Sequence, residues 1–285
     1  MKINFKISNK LRSVLTITGY VLVAATVLTL MSFATKRNHE LVCKGVVVNI
    51  EDENVKGFID RSDIMEIVRS KGKKIIGNKV ADINTFMLEK IIDANPHVLK
   101  AEVYSTIDGW VHIDVQQRTP IVRIINSKGE NFYIDNQGKF MPLSEKYSDP
   151  VMVASGQIAE GLVQQRLGLD INSLPLPDDS VGKLPMLSQV FLLAEKLKRD
   201  SSWDAMFEQI YVDENGEIEL IPRLGNNYIL LGNISNLDEK LNLLLNLYRQ
   251  GFPATGWDQY ESINLKFVKR KMLNYHKTNN KWQSR

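Results

Sequence analysis

The chain contains a single cysteine, Cys43, among 285 residues. No disulfide can form within it, and no cysteine cluster can hold zinc. The four histidines, His39, His97, His112 and His276, have no partner at a metal-ligand spacing such as H-x-x-x-H. A G-x-S-x-G nucleophile motif and a glycine-rich phosphate loop are both missing. The net charge is only +3. A nucleic-acid protein would usually show a strong basic face. Paired carboxylates remain as a route to catalysis, because wall-cleaving glycosidases place two across a cleft. The nearest candidates, Asp213 with Glu214 and Glu217 with Glu219, flank Asn215-Gly216 and read as a solvated turn. Trp110, Trp203 and Trp257 read as core aromatics rather than as a sugar groove. These absences point away from an enzyme, a cofactor, a metal, a small-molecule substrate and a nucleic-acid partner.

Long apolar runs are also scarce, with one exception. Val14 to Ala34 is 21 residues without a charge. At 1.5 Å rise per residue it spans about 30 Å, the thickness of a bilayer's hydrocarbon core. A soluble helix of this length would show a polar face. Lys2, Lys6, Lys10 and Arg12 precede the run with no acid, whereas Glu40 follows Lys36 and Arg37. This bias puts residues 1–13 in the cytoplasm and the bulk of the chain across the membrane. A cleaved signal peptide ending at Ser32-Phe33-Ala34 is the alternative. Signal h-regions run about 7–15 residues, so the run at 14–34 reads as an uncleaved single-pass anchor. Cys43 lies nine residues past the run, behind charged residues, which is the wrong context for lipidation.

The remainder reads as α+β and divides near Arg118 to Pro120. Residues 41–117 predict β-α-α-β-β. Val42 to Ile50 is a valine-rich strand. Ser62 to Arg69 carries Ile64, Ile67 and Val68 at helical spacing. A second helix starts at Asp82 as N-cap, places Ile83, Phe86, Met87 and Ile91 on one face, and stops at Asn95-Pro96. Two strands follow around Asp108-Gly109, the second alternating Val111, Ile113 and Val115 with polar residues.

Residues 118–270 predict a β-rich domain with flanking helices. A hairpin joins Ile121–Ile125 to Asn131–Asp135. A helix follows Pro185, and strands follow around 207–213, 217–222 and 228–231. Ser235-Asn236-Leu237-Asp238 reads as a capping box opening a helix through Leu241, Leu244, Leu245 and Tyr248. The last strand is Ser262 to Val268, with Ile263, Leu265 and Phe267 on one face and Asn264 and Lys266 on the other. A terminal strand is often a sheet edge, able to accept a partner's strand. Lys266, Lys269, Arg270 and Lys271 would repel self-pairing or attract an acidic partner strand. Leu143 to Lys183 carries no clear pattern, and residues 271–285 read as a flexible tail.

Four stretches resemble one family in the right order. "NPHVLKAEVYSTIDGWVHIDVQQRTPIVRI", with Pro96, Val98 and Pro120, resembles the end of the POTRA domain of the bacterial cell-division protein family FtsQ/DivIB. "FYIDNQGKF" resembles its hairpin, with Asp135 and Gly138. "GNNYILLGNISNLDEKLNLLLNLY" resembles its strand-to-helix segment, with Gly225 and Gly232. "GWDQYESINLKFVKR" resembles its closing strand, with Trp257 and Tyr260. The sequence departs from the family's pattern at Gln117, where an acid is usual, and at Phe267, where tyrosine is common.

The resemblance implies a non-catalytic scaffold in the inner membrane at the division septum. It implies partners of the FtsB/FtsL type, bitopic proteins, with FtsB adding a strand along Ile263, Asn264, Leu265, Lys266, Phe267, Val268 and Lys269. It further implies contact with FtsK and with septal wall-synthesis proteins. A POTRA-containing adaptor or chaperone of another envelope-assembly complex is the alternative.

Overall fold

A computed structural model describes residues 17–29, 41–51, 57–71, 74–161, 171, 184–225, 227–251, 260–266 and 273–274. Residues 17–29 are helical (α1), and their apolar side chains are exposed. Among the described residues, no helix is long and apolar enough to cross a membrane. The rest packs as two units, the second beginning at Gln117 and also claiming Phe58.

The first unit follows the expected β-α-α-β-β order. It comprises β1 (Gly45–Ile50), α2 (Arg61–Lys71), α3 (Thr85–Asp93), β2 (Val98–Ser105) and β3 (Trp110–Gln117). Its sheet is ordered β1-β3-β2, with β1 parallel to β3. Val111, Ile113 and Val115 are fully buried, as their alternation requires. They pack with Ile64, Val68, Leu88 and Ile92 from the two helices. A fully buried aliphatic side chain contributes roughly 1.5–3 kcal/mol over an exposed one.

Two local expectations fail here. The strand starts at Gly45 rather than Val42, because Cys43 bonds to the turn at Gly77-Asn78. The second helix is capped by Asn84, whose Oδ1 accepts from Met87 N at 2.9 Å. Asp82 lies instead in a short 3-10 turn. Leu88 and Ile92 are buried while Phe86 and Met87 face solvent, so the buried face is not the one expected. The first helix has a reciprocal cap that the sequence reading missed. Asp60 Oδ1 accepts from Asp63 N at 3.0 Å, and Asp63 Oδ2 accepts from Asp60 N at 2.9 Å.

The second unit is built on a nine-stranded mixed sheet. Its strands are β4 (Pro120–Ile125), β5 (Asn131–Asp135), β6 (Phe140–Pro142), β7 (Met152–Gly156), β8 (Phe207–Val212), β9 (Ile218–Pro222), β10 (Tyr228–Gly232), β11 (Ser262–Asn264) and β12 (Leu273–Asn274). Their order across the sheet is β12-β11-β10-β9-β8-β7-β4-β5-β6. Helices α4 (Met186–Lys198), α5 (Ser201–Met206) and α6 (Leu237–Asn246) supply apolar side chains to its core.

The hairpin β4–β5 matches the expectation, β7 emerges from the stretch without a clear pattern, and α5 fills the gap between the expected helix and the strand at 207. Trp203 joins the core, Trp110 is partly exposed, and Trp257 lies outside the described residues. The capping box at Ser235–Asp238 is not formed. Asn236 takes φ 54 and caps α6 without a side-chain hydrogen bond. Asp238 pairs with Lys196 at 2.5 Å instead.

Phe58 shows why sequence order misleads. Its ring meets Tyr133 and Tyr147 edge-on at 5.6 and 5.3 Å. It fills a small cluster with Met141, whose members lie far apart along the chain.

Candidate functional site

The candidate site is the β10–β11–β12 end of the large sheet. Tyr228 N donates to Glu261 O at 3.2 Å, and Leu265 N donates to Leu230 O at 2.9 Å. In a parallel pair these bonds turn the backbone of odd-numbered residues toward β10. The backbone of Ser262 and Asn264 therefore faces the other way, where β12 pairs with Ser262 and Ile263.

This corrects the expectation that Ser262 to Val268 is the last strand. The regular strand stops at Asn264, and β12 lies outside it as the sheet's terminal strand. Two residues of the expected tail, Leu273 and Asn274, thus belong to the sheet. Strand pairing is a tertiary event, and a two-residue strand leaves no alternation in sequence to find it by. Phe267, Val268 and Lys269 lie outside the described residues.

The faces of β11 follow the expected alternation. Ile263 and Leu265 are fully buried in the core cluster that includes Leu241 and Leu244. Asn264 and Lys266 are on the partly exposed face. Asn264 Oδ1 accepts from Lys266 N at 3.0 Å, an Asx turn that ends the strand.

Lys266 is not a free cation awaiting an acidic partner. Its Nζ forms an ion pair with the Glu217 carboxylate. Its aliphatic stem crosses Gly232, where an added Cβ would stand 3.2 Å from Lys266 Cγ. Gly232 also has φ +78, a conformation that side chains disfavour. Glycine at 232 therefore lets the lysine reach across β10 and fasten β11 to the β8–β9 turn.

That turn is well satisfied. Burial works against charge on Asp213, but N–H groups of Glu217 and Asn215 outweigh it and hold its pKa below the usual carboxylate range. Burial, with the nearby Asp213 charge, raises Glu219. Burial also raises Tyr228, helped by Glu219 and Glu261. These carboxylates line a strand face and a turn. Among the described residues no group of three or more His, Cys, Asp or Glu is placed to hold a metal ion.

The remaining motif residues are structural. Asp135 Oδ1 accepts N–H groups from Gln137 and Lys139 at 2.9 and 2.7 Å, and its Oδ2 accepts from Arg118 at 2.7 Å. Gly138 has φ +76, and Phe140 is buried. Val98, Pro120 and Tyr260 are buried, and Pro96 follows the end of α3. Gly225 takes φ +97 in the β9–β10 turn. Gln117 lies against Gly57, while the junction's ion pair is Arg118–Asp135.

The same fold leaves a different edge closed. In the first unit, β1 and β2 are the two edges of the sheet, and the β2 edge is the closed one. Ala101 N donates to Asp93 Oδ1 at 2.7 Å, and Val103 N donates to Glu89 Oε1 at 2.9 Å. Both carboxylates come from α3. Two donors that could template an added strand are occupied.

This architecture agrees with comparison to known families. A model described as FtsQ/DivIB, C-terminal related, matches residues 119–271. The chain belongs to the FtsQ/DivIB family. A POTRA-like domain model matches residues 41–116, which hold the β-α-α-β-β unit. No curated protein matches the chain. In this FtsQ/DivIB chain, the segment Arg118–Phe140 supplies the first hairpin of the large sheet, and the resembling motifs fall partly on the first unit's strands and partly on the large sheet.

Proposed function

We propose that this chain is a non-catalytic, membrane-anchored scaffold of the bacterial division complex. Residues 14–34 anchor it in the inner membrane, with residues 1–13 in the cytoplasm. The large sheet binds FtsB/FtsL-type bitopic proteins by strand addition, and the chain links early and late division proteins at the septum, with FtsK and septal wall-synthesis proteins as further partners. The carrying observation is the pair of short strands β11 and β12 at one end of a nine-stranded sheet. Such an end offers backbone donors and acceptors to an incoming strand.

The docking line moves outward from the sequence expectation. Ile263 and Asn264 lie one strand in, and the partner adds beside Leu273 and Asn274. Antiparallel alternation from the Ser262–Asn274 pair turns the backbone of Leu273 away from β11.

The test is affinity co-purification from solubilised membranes with wild type, Leu273→Pro and Asn264→Pro. Proline removes one outward backbone donor in each. Small coiled-coil division proteins should co-purify with wild type and be lost with Leu273→Pro while the domain stays folded. Equal recovery with both variants would move the docking site elsewhere. Absence of division proteins from the wild-type sample would sink the scaffold reading itself.

A further inference from the structure

The leading segment of the first unit, residues 41–44, runs between two turns. On one side Cys43 N donates to Asn78 O at 2.8 Å, and Gly77 N donates to Cys43 O at 2.9 Å. On the other, Lys44 N donates to Gly109 O at 2.8 Å. Each turn contains a glycine at positive φ, Gly77 at +88 and Gly109 at +91. Each also presents an isoleucine to solvent. Ile76 is 49% exposed and Ile107 is 86% exposed. Val42, between them, is 47% exposed. Trp110 is 38% exposed and lays its ring over Gly45, where an added Cβ would clash at 2.4 Å. A lone exposed aliphatic residue needs no explanation. Here several are tied by backbone hydrogen bonds at the end of the unit where the chain arrives, and such a patch marks an interaction surface.

The surrounding charge is cationic. Lys44, Lys74 and Lys79 are exposed, and Lys79 stands opposite Val42 in a β-bridge. The stretch RSKGKKIIGNKVA, residues 69–81, contains no acid, and the exposed Asp82 follows it. Asp108 is the acid of the second turn, and Thr106 Oγ1 donates to it.

Chain length names the occupant. Six residues, 35–40, separate the apolar run from Leu41. At about 3.5 Å per residue they reach ~21 Å. A membrane-embedded run would therefore keep this end of the unit beside the bilayer at high effective concentration.

We propose that this end of the first unit docks on an anionic phospholipid surface. Lysines attract the headgroups, Val42, Ile76 and Ile107 enter the headgroup boundary, and Trp110 suits the interface. The proposal rests on the membrane-anchor reading above.

The test uses the full chain reconstituted into vesicles, with an environment-sensitive fluorophore on Ile76→Cys or Ile107→Cys. Cys43 is buried, so labelling is selective. Glu102→Cys, on the exposed face of β2, serves as the aqueous control. Vesicles contain either phosphatidylglycerol with phosphatidylcholine or phosphatidylcholine alone, each with a lipid-borne quencher. Flotation of the vesicles reports the anchor, and quenching reports the docking surface.

The expected result is flotation in both, with labels at 76 and 107 quenched in the anionic vesicles and the label at 102 unquenched. Lys44→Glu, Lys74→Glu and Lys79→Glu should each lower the docked-to-free ratio about fivefold. Flotation with all three labels equally aqueous overturns the docking surface and leaves the anchor standing. Failure to float overturns both, because the tether argument falls with the anchor.

Discussion

Arg118 Nη1 donates to Asp135 Oδ2 at 2.7 Å, and the Asp135 side chain has no solvent exposure. The carboxylate thus joins the first residues of the large sheet to its first hairpin and organises the following turn with two N–H bonds. Removing one member of a buried ion pair leaves the other charge uncompensated, at about 3–5 kcal/mol. Asp135→Ala should lower the unfolding free energy of the β-rich unit by about that much in urea titrations. An unchanged midpoint would show that the pair is dispensable.

Gly232 and Lys266 form a second coupled pair. A β-branched residue at 232 meets both the positive φ and the lysine stem. Gly232→Val should cost at least about 1–3 kcal/mol and reduce partner capture. Lys266→Ala in the same chain should relieve the steric part only. The double variant then falls short of additivity, which a four-way comparison of unfolding midpoints would detect.

Lys240 is a buried lysine on α6. Its Nζ donates to Leu231 O at 2.8 Å and Asn233 O at 2.7 Å. Burial lowers its pKa below 10.5. Between that lowered value and 10.5 the unfolded chain binds more protons, so stability rises with pH across this window. Tyr248 behaves oppositely. Burial pushes it from 10.0 to about 12, so the folded chain holds the extra proton and stability falls as pH rises between those values. Lys240→Met should remove the rise, and Tyr248→Phe should remove the fall. Denaturant midpoints from pH 8 to 12 measure both, and parallel wild-type and variant curves would refute the assignment.

The β2 edge supplies a separate test. Glu89→Ala with Asp93→Ala frees the amides of Val103 and Ala101. Their hydrogen exchange should accelerate about 10–100-fold, as expected for losing ~1–3 kcal/mol of charged hydrogen bonding. The solubilised chain should also begin to self-associate through the opened edge. Glu89→Gln with Asp93→Asn keeps an acceptor oxygen at each site and should preserve protection. Unaltered exchange in the alanine pair would show that the edge is closed by something else.

Much of the fold was legible because it was written in local pattern. Val111, Ile113 and Val115 alternate, so their strand and its buried face followed directly. The Pro185 start, the Asn215-Gly216 turn and the β4–β5 hairpin were similarly plain. Errors arose where several local signals competed. Asp82 and Asn84 are both plausible caps, and only packing of Leu88 and Ile92 chose between them. Ser235–Asp238 fits a capping pattern, but the left-handed turn at Asn236 removes the geometry the pattern needs.

The sequence by itself determined the β-α-α-β-β order of the first unit, the two-part organisation, the lack of catalytic motifs and the one membrane-length apolar run. Each of these depends on neighbours in the chain or on composition. Only the tertiary structure decided that β12 lies outside β11, that Lys266 is tied to Glu217, that Phe58 joins Tyr133, and that Glu89 and Asp93 close β2. Those are long-range pairings. Their stability comes from groups that meet only after the sheet has formed, so no periodicity in the sequence records them.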